Sequence, residues 1–156
     1  IKGSTLYILG TGPSEDEMKE RIKNENLTNV KMLGYKNVKE LREIVSNAQF
    51  TVITSEWHDN SPLVIYEALT LGKPVIGARM GGIPELIDDG KDGFTFDRGD
   101  LPSFVNHVNT LIQNKELRTK MSRNARQKAE QSFAFDQHYE KIMKLYDKTR
   151  AISSHK

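Results

Sequence analysis

The stretch FTVITSEWHDNSPLVIYEALTLGKPVIG, residues 50–77, decides the fold of this 156-residue chain. It opens with residues 50–53, a nearly continuous β-favouring run that is typical of a central parallel strand buried on both faces. A helix is predicted over residues 62–71, with Pro62 near its first turn, where a missing N–H costs nothing, and Gly72 closes it. Residues 74–77 form the next predicted strand. Strand, helix and strand in this order predict a βαβ unit with parallel strands.

The same alternation of short apolar runs and amphipathic segments continues on both sides of this stretch. Strands are predicted at residues 6–9, 30–33 and 93–96, and helices at residues 14–24, 38–47, 85–87, 102–113, 116–131 and 135–150. The pattern predicts an α/β fold with a doubly wound, mostly parallel sheet and helices on both faces. Ligands bind such sheets at the carboxyl ends of the strands. We expect one domain over residues 1–150 and a disordered tail over residues 151–156.

Local patterns predict helix ends and buried faces. Ser14 precedes Glu17 by three residues, which is the spacing of a capping box. Met18 and Ile22 follow at i, i+4 spacing and predict an inward face, and residues 6–9 predict a buried strand. The predicted inward residues of the next helix are Leu41, Ile44 and Val45. The basic residues predicted to form a solvated face of the penultimate helix are Arg118, Lys120, Arg123, Arg126 and Lys128.

The composition, 37% hydrophobic and 28% charged, is that of a globular protein with room for a hydrophobic core. A net charge of +2 is too small to indicate nucleic-acid binding. Because the chain has no cysteine, disulfides and thiolate metal sites are excluded, and a reducing cytoplasm fits. No apolar run approaches the roughly 20 residues of a membrane span. The chain opens at Ile1, shortly before a predicted core strand, so we expect a larger protein to continue upstream.

The first candidate site is Gly10-Thr11-Gly12-Pro13, between a predicted strand and its helix. Glycines there let the backbone approach a phosphate, and the helix N-terminus supplies oriented N–H groups. The third glycine of a dinucleotide fingerprint is absent. Phosphate contact and a plain tight turn both remain open.

The second candidate site pairs Asp59, in a loop, with Glu67, eight positions later in the predicted helix. The backbone N–H groups of Ser61, Leu63 and Val64 are helix-terminus donors suited to an anion. The Glu67 carboxylate is suited to accept two hydrogen bonds from a ribose diol. The alternative is that Asp59 caps the helix and Glu67 is solvated or salt-bridged.

The third candidate site is Gly81-Gly82-Ile83-Pro84-Glu85, where two adjacent glycines precede a short helix. Such a loop forms either a second anion nest or a plain turn.

In order, these motifs resemble glycosyltransferase family four, whose members have the two-domain GT-B fold. The resemblance lies in an acidic residue, seven intervening residues and a Glu (Asp59 to Glu67), then Gly72-Lys73-Pro74-Val75, then Gly81-Gly82-Ile83-Pro84-Glu85. The glycine loop at residues 10–13, the strand end at residues 31–35 and the turn at residues 88–94 match as well. The resemblance covers nearly the whole chain. It implies the donor-binding C-terminal domain of a retaining hexosyltransferase of polysaccharide biosynthesis.

The resemblance also implies a role for each site residue. Glu67 would hold the ribose hydroxyls of a nucleotide diphosphate sugar, and Asp59 the hydroxyls of its sugar. Tyr35, with Lys36, would border the nucleobase. The residues implied to lie near the sugar or the diphosphate are Gly12, Asn60, Ser61, Leu63 and Val64. The Gly81-Gly82 loop would support the pocket rather than touch the donor.

The chain departs from the family pattern in ways that bear on activity. Asp59 stands where Glu is usual, and Asp100-Leu101-Pro102 only loosely matches the start of the next helix. The basic pair and the acceptor domain that the family places upstream are not found here, so we expect the isolated domain to be inactive. His58 is a candidate ligand contact, His107 and His138 are predicted surface positions, and His155 lies in the tail.

No D-x-D pair or carboxylate cluster resembles a metal site, so no metal or other cofactor is expected. The implied partners are a nucleotide sugar, the missing N-terminal acceptor domain and a membrane-linked acceptor, with no nucleic acid. The resemblance thus implies a cytoplasmic protein that can associate peripherally with the membrane surface.

Three alternatives remain. A receiver module needs acidic residues at the end of its first strand, where this chain has Gly10-Thr11-Gly12. A flavodoxin-like module needs a Ser/Thr-rich phosphate loop, whereas the first loop of this chain supplies only Thr11 and Ser14. A GT-B epimerase or phosphorylase is not separated by spacing. The last predicted helix, with apolar Tyr139, Ile142, Met143, Leu145 and Tyr146, packs either on its own domain or on the missing one.

Overall fold

The computed structural model describes residues 3–133 and 135–153 and divides into two units, Ile1–Asn47 and Ala48–Lys156. The first unit contains strands β1 (Leu6–Leu9) and β2 (Val30–Gly34) and helices α1 (Glu15–Asn24) and α2 (Val38–Asn47). The second contains strands β3 (Thr51–Ile53), β4 (Val75–Ala78) and β5 (Gly93–Phe96), and helices α3 (Leu63–Thr70), α4 (Ile83–Leu86), α5 (Leu101–Gln113), α6 (Lys115–Ser132) and α7 (Phe135–Ser153). The predicted order of strands and helices is confirmed. Helix α7 continues to Ser153, and residues 154–156 of the predicted tail lie outside the described residues.

Every strand pair in the described residues is parallel, which confirms the predicted α/β class with a parallel sheet arrangement. In the first unit, β1 pairs with β2, with Leu6 opposite Val30 and an irregularity between Ile8 and Leu9. Leu6 and Tyr7 are 48% and 46% exposed, so the prediction of a fully buried first strand is wrong at these two positions. The reason is that β1 has a single partner strand in its two-stranded sheet.

The capping box forms at a different helix from the predicted one. The Ser14 side chain makes no capping hydrogen bond, because its backbone (φ −87°, ψ 8°) lies outside the β region that capping requires. At the start of α2, Asn37 Oδ1 accepts from the Glu40 N–H at 3.0 Å, while Glu40 Oε2 accepts from the Asn37 N–H at 3.1 Å. Met18 on α1 is exposed, contrary to prediction, and Ile22 is half-buried.

In the second unit, β4 lies between β3 and β5 and is buried along its whole length. The segment predicted as central, β3, is instead at the edge of this three-stranded sheet and is half-buried, since it pairs with β4 alone. The core around β4 is formed by residues of α3, α4, α5 and α6. Its fully buried large side chains include Ile65, Leu69, Ile76, Ile83, Leu111 and Met121.

Helix α6 joins the C-terminal ends of three other helices through basic side chains. The Arg118 guanidinium donates to the carbonyls of Leu111 and Ile112 in α5. Arg126 Nη1 donates to the Thr70 carbonyl at the end of α3 at 2.7 Å. Lys128 Nζ donates to the Leu86 carbonyl at the end of α4 at 2.8 Å. Three of the five residues predicted to form a solvated face therefore complement helix C-termini, where cations are favoured.

Lys120, Arg123 and Arg126 are exposed as predicted, whereas Arg118 and Lys128 are half-buried. Among the described residues, no helix is both long enough and apolar enough to cross a membrane.

Candidate functional site

The loops after β3 and β4 meet at the carboxyl edge of the three-stranded sheet. The backbone N–H of Gly82 donates to the Asp59 carbonyl at 2.8 Å. A Cβ at Gly81 or Gly82 would overlap the backbone of Asp59 or Asn60, and Gly81 has φ +53°. Glycine is therefore required at both positions, and the Gly81-Gly82 loop holds the Asp59 loop in place.

Asp59 organises its own loop. Its Oδ1 accepts the backbone N–H of Ser61 at 3.0 Å, which closes an Asx turn immediately before α3. The N-cap of α3 is Pro62, so Asp59 does not occupy the cap position. The Ser61 N–H, predicted as a donor for an anion, is already occupied by this turn. Leu63 and Val64, the first two residues of α3, have N–H groups that precede the helical hydrogen-bond ladder.

Helix α3 presents Glu67 on an exposed face. It buries Ile65, Ala68 and Leu69, whereas Leu63, 73% exposed, and Glu67 are one turn apart on the outer face. In the described part of the chain, the Glu67 carboxylate has no hydrogen bond or ion pair with another residue. Glu67 is therefore solvated rather than salt-bridged, and it is available to a ligand.

Ser61 has a side-chain partner that the sequence pattern did not indicate. Its Oγ lies 3.0 Å from Tyr66 Oη. The Tyr66 ring makes an edge-to-face contact with Phe133, with a centroid distance of 4.7 Å and an interplanar angle of 62°. Phe133 is too far from Tyr66 in sequence for a local motif to reveal this arrangement.

In the first unit, the Gly10–Pro13 loop borders a cleft of about 300 Å³. The Gly12 carbonyl accepts the Glu15 N–H at 3.0 Å, and the space beside Gly12 is open. Met18 and Met32 form part of the cleft wall. Gly12 is thus placed beside the N-terminus of α1, where a phosphate could approach the backbone.

Tyr35 follows β2 in the same unit and is 77% exposed. The adjacent Lys36 Nζ lies 3.8 Å from Glu40 Oε1. The predicted site residues are therefore divided between the two units. Gly12 and Tyr35 belong to the first unit, and Asp59, Asn60, Ser61, Leu63, Val64 and Glu67 belong to the second.

Two arginines also lie at the carboxyl edge of the second unit's sheet. Arg79 follows β4 and donates from Nε to Thr95 Oγ1 at 3.0 Å and from Nη1 to Asp97 Oδ1 at 3.2 Å. Arg98 follows β5 and pairs with Glu56 at 3.4 Å. Both guanidinium groups are therefore paired with acidic side chains.

The histidines differ in their surroundings. His58 is exposed in the Asp59 loop. His107 stacks on Phe94, with centroids 4.4 Å apart, and lies 3.2 Å from Ser103 Oγ, so it is half-buried rather than a surface residue as predicted. The side chain of His138 and all of His155 lie outside the described residues.

The turn between α4 and β5 contains a partly buried charge cluster. Lys128 Nζ lies 2.9 Å from Asp88 Oδ1 and 3.0 Å from Asp92 Oδ2, and Asp92 is 1% exposed. The hydrogen bond from Lys128 lowers the pKa of Asp88. Burial raises the pKa of Asp92, although Lys128 opposes this shift. The cluster fixes the turn against α6. In the described ranges, no group of three or more His, Asp or Glu side chains is arranged to hold a metal ion.

Comparison with known proteins identifies relatives over most of the chain. The family described as Glycosyl transferases group 1 matches residues 3–128. An Escherichia coli UDP-Gal:alpha-D-GlcNAc-diphosphoundecaprenol alpha-1,3-galactosyltransferase is 30% identical over 148 residues, which are 94% of this chain and 37% of that protein. An N-acetyl-alpha-D-glucosaminyl L-malate synthase of Bacillus anthracis is 29% identical over 143 residues, which are 91% of this chain and 36% of that protein. The chain thus spans about a third of the length of these curated relatives.

Solved structures with a similar fold include complexes with a nucleotide and with a nucleotide sugar. The crystal structure of Anabaena HepE in complex with UDP superposes with a TM-score of 0.84 and 25% identity, over 95% of this chain and 42% of HepE. HepE in complex with UDP-glucose gives a TM-score of 0.82 over the same shares of the two chains. These matches do not favour the receiver or flavodoxin-like alternatives. The predicted fold class and the family match together show that the chain belongs to the Glycosyl transferases group 1 family.

Proposed function

We propose that this chain is the donor-binding, C-terminal domain of a retaining glycosyltransferase with the two-domain GT-B fold, in glycosyltransferase family four. Its donor is a nucleotide diphosphate sugar, and its acceptor is a hydroxyl group held by the other domain. The observation that carries the proposal is the exposed carboxylate of Glu67 on the outer face of α3, which has no hydrogen bond or ion pair with the residues that the structure describes. The UDP and UDP-glucose complexes of HepE support a nucleotide-sugar donor.

Each predicted site residue has a role in this proposal. Glu67 accepts hydrogen bonds from the ribose diol, for which an acceptor-only carboxylate is suited. Asp59 keeps Oδ2 for sugar hydroxyls while Oδ1 holds the turn to Ser61. Tyr35 borders the nucleobase. The residues proposed to lie near the sugar or the diphosphate are Gly12, Asn60, Ser61, Leu63 and Val64.

The reaction moves the sugar without a protein nucleophile. The bond from the anomeric carbon to the diphosphate oxygen breaks, and a bond to the acceptor oxygen forms on the same face of the sugar. The departing diphosphate oxygen accepts the acceptor's hydroxyl proton. Charge on this leaving group is stabilised by backbone N–H groups and by cations. No metal or other cofactor is required in this proposal.

The isolated domain offers little positive charge for the donor diphosphate in this proposal. Arg79 and Arg98 each face an acidic side chain, so their charge is largely balanced within this unit. We expect the missing domain to contribute positive charge for the diphosphate and to hold the acceptor. The isolated chain should then bind donor without turnover. A membrane-linked acceptor, a role in polysaccharide biosynthesis and a cytoplasmic location complete the proposal.

Trp57 provides a direct test of donor binding. It is the one tryptophan of the sequence, it is 84% exposed, and it lies two residues before Asp59. We would titrate the chain with UDP, GDP, ADP and their sugars and follow Trp57 fluorescence, with thermal melting in parallel. A ligand at about 100 times its Kd should stabilise the fold by about 2.7 kcal/mol. Saturable binding of one diphosphate supports the proposal and names the base. If none binds at millimolar concentration, the proposal is contradicted.

A further inference from the structure

Ser61 is connected to the C-terminus of α6 through two successive side-chain contacts, from Ser61 to Tyr66 and from Tyr66 to Phe133. Tyr66 Oη lies 3.0 Å from Ser61 Oγ, and the Tyr66 ring packs edge-to-face on Phe133 at 4.7 Å. Phe133 is the C-cap of α6, where its N–H donates to the Ala129 carbonyl at 3.1 Å. The phenol therefore has its ring fixed by the core side of the unit and its hydroxyl directed at the exposed loop.

Ser61 also contacts Asp59, the residue proposed to bind the donor sugar. The Ser61 backbone N–H donates to Asp59 Oδ1 at 3.0 Å, so Ser61 is held both by its side chain and by its backbone. If the Ser61 backbone shifts when its side chain is no longer held by Tyr66, the N–H that orients the Asp59 carboxylate shifts with it. In this way the orientation of Asp59 depends on the Tyr66 hydroxyl, which contacts Ser61 and makes no hydrogen bond with Asp59 itself.

We propose that Tyr66 is a positioning residue that fixes Ser61 and thereby the Asp59 carboxylate for donor binding; this rests on the function proposed above. Tyr66 is half-buried and carries a hydroxyl, whereas a purely packing role at this place needs only the ring. The roles proposed for Asp59 and Glu67 do not by themselves require a tyrosine at position 66. The role comes from the contacts of Tyr66 with Ser61 and Phe133.

Removal of the hydroxyl should act locally. Tyr66→Phe keeps the ring and its contact with Phe133. Ser61 is exposed, so its hydroxyl finds water and no buried polar group is left unsatisfied. The expected change is therefore in the order of the loop rather than in the global stability of the fold.

The first test is amide hydrogen exchange on the ligand-free, 156-residue chain. We expect Tyr66→Phe to speed exchange in residues 57–61 by about fivefold, which corresponds to about 1 kcal/mol. Ser61→Ala should have the same effect, and the double variant should add nothing further. Tyr146→Phe, the same chemical change on exposed α7, should leave this segment unchanged. Unchanged exchange in Tyr66→Phe, or additive effects of the two substitutions, overturns the positioning role.

The second test links the loop to the donor. For the diphosphate sugar that the wild-type chain binds, Tyr66→Phe should raise Kd about fivefold, and it should raise Kd no further when it is added to Ser61→Ala. Faster exchange with an unchanged Kd overturns the role in donor binding. If the wild-type chain binds no diphosphate sugar, the proposed function and this role in donor binding both fail. The exchange experiment still decides whether Tyr66 positions the loop.

Discussion

The backbone N–H of Gly82 lies 2.8 Å from the Asp59 carbonyl, and this hydrogen bond joins the loops that follow β4 and β3. The two backbones approach so closely that neither Gly81 nor Gly82 has room for a Cβ. Asp59 is therefore positioned by a neighbouring loop as well as by its own turn to Ser61. This close approach makes the site sensitive to a single methyl group.

Gly82→Ala should lower the free energy of unfolding by about 3 kcal/mol, because the added Cβ overlaps the Asn60 backbone and cannot move aside like a flexible side chain. Urea unfolding measures the change. Gly12→Ala is the matched control, since the space around Gly12 is open and its φ is not positive. The control should change the unfolding free energy by less than about 1 kcal/mol. A Gly82→Ala variant as stable as the wild type would contradict the close approach.

Glu67→Gln should weaken binding of the diphosphate identified by fluorescence titration by about tenfold, or about 1.4 kcal/mol. The substitution keeps the shape of the side chain but removes the charge and one acceptor. Because Glu67 has no partner in the described residues, the thermal stability should stay within about 0.5 kcal/mol of the wild type. Glu116→Gln, an exposed position on α6, serves as the control and should bind normally. Equal Kd values for Glu67→Gln and the control would remove Glu67 from the site.

Arg126→Met should destabilise the fold by about 1.5 kcal/mol, chiefly because it removes the charged hydrogen bond to the last carbonyl of α3 at 2.7 Å, with a smaller loss from the exposed ion pair with Glu130. Arg123→Met removes the same charge from the same helix at an exposed position. It should change stability by less than about 0.5 kcal/mol. Chemical denaturation of the pair distinguishes the two expectations. Similar losses in both variants would mean that net charge, rather than the Thr70 contact, sets the effect.

Lys128→Met should cost about 3 kcal/mol, because it leaves the buried Asp92 carboxylate without its cation. The double variant with Asp92→Asn should recover part of this loss, since the asparagine carries no charge and can still accept the Asp88 N–H. Thermal and urea unfolding report both steps. A double variant no more stable than Lys128→Met would argue that the Leu86 carbonyl contact, and not the ion pair, dominates.

The stability that Asp88 contributes should vanish in acid. Its pKa is lowered in the folded state, chiefly by the hydrogen bond from Lys128, below its ordinary value of 3.8. A lowered folded pKa means that the contribution is complete above that value and is lost as the pH falls through the lower folded pKa. We expect the Tm of the wild type to exceed that of Asp88→Asn at pH 7, and the difference to shrink below about pH 4.

Burial, the chief cause that raises the pKa of Asp92, is the same in both proteins, so most of this opposite shift cancels in the comparison. A Tm difference that is constant from pH 7 to pH 2.5 would show that the Asp88 charge does not stabilise the turn.

Much of the fold was predictable because it is encoded by short-range periodicity. Helix α2 and strands β1 and β5 have the predicted bounds, and the other elements differ by a few residues at their ends. The predicted burial of β1 and the predicted central place of β3 failed because they depend on strand pairing, whereas the capping box at Ser14 failed because of the local backbone conformation. Ser14 and Asn37 both have acceptor side chains three residues before a Glu, yet the backbone angles at Ser14 do not permit the box.

The sequence named candidate site residues, whose roles stay predictions, but it could not give their contacts. The sequence pattern, together with the family resemblance, singled out Asp59, Glu67 and the Gly81-Gly82 loop. It could not show that the Ser61 N–H is taken by Asp59, or that Tyr66 lies between Ser61 and Phe133. The contacts of the basic residues of α6 could not be predicted either. Whether a charged side chain on a helix surface is solvated or donates a hydrogen bond depends on which segment packs beside it.

The sequence by itself determined the order of strands and helices, their parallel α/β class and the polar residues at the strand ends, because each is expressed within a few positions of the chain. The tertiary structure decided that β4 rather than β3 is central, that Gly82 approaches Asp59, and that α6 caps three other helices. These contacts join residues up to 56 positions apart, as in Arg126 and Thr70. They form only when packing brings distant segments to hydrogen-bond distance, so no local pattern contains them.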